Sequence, residues 1–122
     1  MLVRLVLGGL AVLSVAVGAH ALRADHRCSQ SRDRAGRAPV GELARVASST
    51  ADRCGDPRDS AIVALVLTAR GQRAAALGLA RRMTRAHPDD YLGWLVVWRL
   101  SGEREALARA HALNPRGTPA AR

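Results

Sequence analysis

Residues 58–115 read RDSAIVALVLTARGQRAAALGLARRMTRAHPDDYLGWLVVWRLSGEREALARAHALNP, and the punctuation of this stretch decides the fold. Gly71, Pro88, Ser101-Gly102 and Asn114-Pro115 divide it into four runs dominated by Ala, Leu and Arg. Ala and Leu favour helix most, with Arg close behind. A Gly just past a helix end is a natural C′ residue, and a Pro soon after prevents the helix from continuing. The runs therefore predict helices over 58–70, 73–86 and 91–100, and from about Glu103 to Asn114. Glu103 and Glu105 place negative charge at the positive end of the last one.

Working outward towards the amino terminus, Gly36 through Pro39 separates two further helices, one ending near Arg34 and one over 40–53 (VGELARVASSTADR). The second stops at Cys54-Gly55-Asp56-Pro57. Phe is absent, and Tyr91, Trp94 and Trp98 are the only aromatics, so sheet-forming composition is scarce. The fold class is all-α. With 122 residues there is room for one small domain. A disordered tail is expected over 116–122.

Cys28 and Cys54 are the only cysteines and stand 26 positions apart. A lone pair suits a disulfide in an oxidising compartment, the alternative being two buried thiols. A bond would hold the two helices of residues 23–56 antiparallel and stabilise the fold by roughly 3–4 kcal/mol on the chain-entropy estimate. No metal site is expected, since there is no Cys-x-x-Cys and His26 is a lone neighbour. No cofactor is expected either.

Leu5–Leu22, LVLGGLAVLSVAVGAHAL, carries no charge. As a helix its eighteen residues would span about 27 Å, just enough for a hydrocarbon core. Residues 1–22 fit a transmembrane anchor. They also fit a cleaved export signal, because Ala19-His20-Ala21 has the small-x-small form of a cleavage site. The apolar run is longer than the h-region of a usual signal, which favours the anchor. Orientation is contested. Arg4 set against Arg23 and Arg27 favours a cytoplasmic carboxy terminus, whereas a disulfide requires the other side. The cysteine pair outweighs the charge count, and the domain is expected outside the cytoplasm, single-pass and tethered, or secreted if the leader is cleaved.

The net charge is +9, and every basic residue is Arg. An Ala/Arg/Gly-rich chain without Lys is the usage of a GC-rich genome. The arginines are spread along the chain rather than gathered in a block, so a solvated surface accounts for them better than a nucleic-acid partner does. The densest stretch, Arg23 to Arg37, directly follows the apolar segment and suits lipid head groups.

The predicted helices of residues 57–115 repeat a theme: an apolar helix, a Gly turn, an Ala-rich helix bearing Arg, then Pro. TRAHPDD and AHALNPR close the two units. Repetition of this kind signals an array of helical hairpins. These residues resemble the tetratricopeptide repeat (TPR), a unit of about 34 residues built as helix–turn–helix. Gly71 and Pro88 match its turn Gly and terminal Pro, Ala64 and Ala76 its small positions, and Trp94 its early Trp. Ala110-His111-Ala112-Leu113-Asn114-Pro115 looks like its typical ending. Pro88 to Pro115 is 27 residues, so the second unit is trimmed. Trp98 and Met83 stand where small residues are usual. Two units fall short of the three or so that stability needs, and the cysteine-bearing helix pair could supply a cap. The layout of anchor, cysteine pair and two degenerate repeats is similar to that of small bacterial envelope proteins.

The resemblance implies that ligand peptides lie along the first helices of the units. By position these contribute Arg58, Ala61 and Leu65, then Leu92, Leu95 and Arg99, an apolar groove edged by Arg that suits a peptide with acidic and apolar residues. Tyr91, Trp94 and Trp98, at i, i+3 and i+7, could form a ligand stripe, but packing of the core is the favoured reading because no other large side chains are available. Catalytic signatures are missing: there is no phosphate loop, no Gly-x-Ser-x-Gly and no His-Glu-x-x-His. The expectation is a non-catalytic, membrane-tethered module of the bacterial envelope that binds a protein partner. The alternative is a structural subunit whose anchor packs with other membrane helices.

Overall fold

The computed structural model describes residue 23 and residues 25–119, and these are helical throughout, with no strand among them. Helix α1 covers residues 25–37. After a 3-10 turn (Val40–Glu42) come α2 (Leu43–Arg53), α3 (Pro57–Ala69), α4 (Arg73–Ala86), α5 (Tyr91–Ser101) and α6 (Arg104–Leu113). The apolar segment Leu5–Leu22 lies outside the described residues. Among those described, no helix is long and apolar enough to cross a membrane.

Local chemistry sets the helix ends. Asp56 and Asp90 cap α3 and α5, each carboxylate accepting from the backbone N–H two residues on, Arg58 and Leu92, both at 2.8 Å. Pro57 opens α3 at a position where a missing N–H costs nothing. Gly71 closes α3 at φ 75°, while the Gln72 N–H reaches the Leu67 carbonyl and its own N–H reaches that of Thr68. That pair of bonds is the Schellman arrangement, which only a left-handed residue permits. The two capping Asp residues stand 34 positions apart.

Helix α1 runs one turn beyond Arg34, through Gly36, and stops where Pro39 forces the preceding residue out of helical geometry. Its free carbonyl end is closed from a distance. The Arg70 guanidinium, at the end of α3, donates to Ala35 O (3.0 Å) and Ala38 O (2.7 Å). Arg73 does the same for the end of α5 through the Leu100 carbonyl. Both satisfy carbonyls that a helix terminus leaves without partners. Arg70→Ala should therefore lower unfolding stability by about 2 kcal/mol, since hydrogen bonds to a charged donor are worth roughly 1.5–3 kcal/mol. Urea denaturation would measure it, and an unchanged midpoint would mean that water replaces the guanidinium without cost.

The helices form three antiparallel hairpins stacked in chain order. Helix α3 packs on α4, α4 on α5 and α5 on α6, while α3 also meets α5, and α2 meets both α3 and α4. The Arg32–Asp59 ion pair (2.8 Å) sets α1 beside α3. The Arg81–Glu103 pair (2.8 Å) reaches from α4 to the start of α6. A hydrogen bond from Arg81, with a smaller one from Ser101, holds the exposed Glu103 carboxyl below its usual range. One core runs through all six helices, and seven of its sixteen residues are Ala, so the helix axes can approach closely. Ala64 and Ala76, expected to be small for this reason, are wholly buried. Cys28 and Cys54 form a disulfide that joins the start of α1 to the end of α2. Residues 116–119, where a disordered tail is expected to begin, turn back onto α6, with the Thr118 hydroxyl 3.3 Å from His111 Nδ1. There the Thr118 hydroxyl donates to Asn114 O at 2.7 Å, and Thr118 is buried.

Candidate functional site

Helices α3 and α5 lie side by side and are the two most apolar helices in the array, with mean composition far from amphipathic. A helix that is apolar all round is either buried on every side or exposes apolar surface. Helix α3 does the latter. Val63, Ala64 and Leu67 are fully enclosed, yet Ile62 is 45% and Leu65 54% exposed. These two and Val40 are the large hydrophobic residues left open among the described residues.

Of the six residues assigned to a groove, Arg58, Leu65 and Arg99 are exposed, while Leu92 and Leu95 are half-buried. Ala61 is not on this face: it is 8% exposed and belongs to the core. The solvent side of α3 is instead built by Arg58, Ile62 and Leu65, at i, i+4 and i+7. Ile62 is not marked by the sequence, because the run AIVALVL (61–67) has no polar positions to show which side faces water. On α5 the open side carries Leu92, Leu95 and Arg99, at i, i+3 and i+7. Neither Arg58 nor Arg99 takes part in an ion pair among the described residues.

The aromatic stripe divides. Trp94 and Trp98 are half-buried and pack against the core from its rim, whereas Tyr91 is half-buried outside that cluster. The Trp94 indole N–H donates to Pro88 O at 2.9 Å, which fixes the α4–α5 turn to α5. The fully buried face of α5 is made by Gly93, Val96, Val97 and Leu100. Among the described residues, no group of three His, Cys, Asp or Glu side chains is placed to hold a metal ion.

No family model, curated protein or solved structure matches the chain.

Proposed function

We propose that the chain is a TPR-like, non-catalytic interaction module of the bacterial envelope, tethered through residues 1–22, which binds a peptide segment of a protein partner along α3 and α5. The observation that carries this reading is the pair Ile62 and Leu65, large apolar side chains open to solvent on a helix whose other faces are packed. Burying them on a partner would recover apolar area at about 25 cal/mol per Å². Leu92 and Leu95 extend the apolar surface onto α5, and the unpaired guanidiniums of Arg58 and Arg99 suit carboxylates on the bound peptide. The 34-residue interval between the Asp caps agrees with the repeat length of the TPR. The stacked cysteine-bearing hairpin would bring the array to three units.

A photo-crosslinking residue placed at 65 should join one discrete partner in intact cells, and the same residue at 108, on the exposed side of α6, should not. Ile62→Asp with Leu65→Asp should reduce that capture at least tenfold without loss of helicity, because both sites are already solvated. Equal crosslinking from 65 and 108, or capture that survives the double substitution, would overturn the groove.

A further inference from the structure

We propose that an open cleft between α1 and α2 is an anion site that takes a single phosphate ester, on a phospholipid head group or on a soluble molecule. The cleft measures about 600 Å³, within the range of roughly 300–1,000 Å³ usual for small-molecule sites. Arg34 and Arg37 reach it from α1, Arg45 and Arg53 from α2, and Ala38 and Val46 give it an apolar floor.

What distinguishes these four arginines from the other unpaired ones, such as Arg58 and Arg99, is that they line one cleft while the fold does not use them. Elsewhere Arg32, Arg81, Arg82 and Arg109 form ion pairs, and Arg70 and Arg73 close helix ends. Among the described residues, Arg34, Arg37, Arg45 and Arg53 have no ion pair and no side-chain hydrogen bond. Their spacing gathers them all the same. Arg34 and Arg37 are one turn apart on α1, and Arg45, Ser49 and Arg53 recur every four residues along one side of α2. The disulfide between Cys28 and Cys54 and the short turn at Ala38-Pro39 hold the two helices together at either end.

The two carboxylates in the lining, Asp33 and Glu42, decide the class of ligand. Four guanidiniums less two carboxylates leave a surplus of two positive charges. That balances one phosphate group, which carries about one charge as a diester and up to about two as a monoester. It opposes a polyanion, whose neighbouring phosphates would meet Asp33 and Glu42. Guanidinium forks match phosphate oxygens in bidentate fashion, which a compact group in a cleft can exploit from both helices at once.

The full chain in nonionic detergent would be titrated calorimetrically with inorganic phosphate, and separately with short-chain phosphatidylglycerol below its micelle concentration. Saturable binding of either should weaken at least tenfold in Arg37→Gln with Arg45→Gln. The charge-matched control Arg104→Gln with Arg116→Gln, at exposed sites away from the cleft, should leave binding unchanged. Circular dichroism would verify that both variants keep their helicity. Binding of both probes, or of the lipid alone, names the head group as source; binding of phosphate alone names a soluble ester. No saturable binding, or an equal loss in the control pair, would overturn the site.

Discussion

Reduction of the Cys28–Cys54 bridge, or its removal as Cys28→Ser with Cys54→Ser, is expected to lower the thermal midpoint by roughly 15–25 °C. The bridge closes a loop of 26 positions. On the chain-entropy relation a loop of that length stabilises by about 3.5 kcal/mol, and a domain near a hundred residues shifts by about 4–8 °C for each kcal/mol. The packing of α1 explains why the molecule depends on it. In the described part of α1 only Cys28, Ser31 and Ala35 are buried, a narrow strip of small side chains at i, i+3 and i+7. So little apolar area cannot offset the ordering of thirteen residues (25–37). The remaining ties of α1 are the Arg32–Asp59 pair, partly exposed and worth little, and the Arg70 bonds at its far end. Calorimetry with and without reductant gives the midpoint. Hydrogen exchange should show α1 amides losing protection before those of α3 to α5. A drop below about 5 °C would mean that the first hairpin is held by the core alone.

How much of this was legible in the sequence depended on whether the deciding partner was local. The ends of α3, α4, α5 and α6 were readable to within a residue or so because Asp56, Gly71, Asp90, Gly102 and the prolines act on their immediate neighbours. The sequence puts the end of α1 a turn early, near Arg34, because the break signal spans Gly36 through Pro39 and only its last residue ends the helix. Gly merely weakens a helix, whereas Pro39 stops it. The arginines hid the most. A chain with nineteen of them gives no local sign that Arg70 and Arg73, flanking the Gly71 turn, close the ends of helices 27 to 35 positions away. Nor does it show that Arg45 and Arg53 face Arg34 and Arg37. The side of α3 that meets solvent is unreadable for a different reason: without polar positions in AIVALVL there is no phase, so position points to Ala61 where the fold exposes Ile62. The aromatic residues were expected to fill the interior because they are the largest available. An interior narrowed by seven alanines is filled by Val and Leu instead, and Trp94 and Trp98 cover its edge.

The same close approach of helices leaves Gly93 little room for a side chain between α4 and α5. A Cβ there would stand 3.2 Å from both Cγ2 and the backbone N of Thr84, and 3.3 Å from Cβ of Met83. These distances are inside ordinary contact, and the obstacles cannot turn aside. The Thr84 nitrogen belongs to the α4 backbone, Met83 is 4% exposed, and the Thr84 rotamer is held by its hydroxyl donating to Arg81 O at 2.9 Å. Gly93→Ala sets two terms against each other. Ala gains up to about 1 kcal/mol of helix propensity over Gly, and separating α4 from α5 by a few tenths of an ångström returns a similar loss, so the change should be small. Gly93→Val has no such balance. Its two γ-carbons extend beyond the contact that Cβ already strains, and overpacking of this kind costs roughly 1–3 kcal/mol or more. The expected loss is about 3 kcal/mol in urea denaturation, with the Trp94 and Trp98 fluorescence of the folded state altered. Gly78 supplies the comparison, being mid-helix in α4, exposed and with open space on the side where a Cβ would stand. There Gly78→Ala should stabilise by about 0.5–1 kcal/mol, the full propensity gain. If Gly93→Val kept the wild-type midpoint while Gly78→Ala raised it, the α4–α5 contact would be looser than the backbone positions require, and the stacking of the last two hairpins would have to rest on the Arg73 and Arg81 links instead.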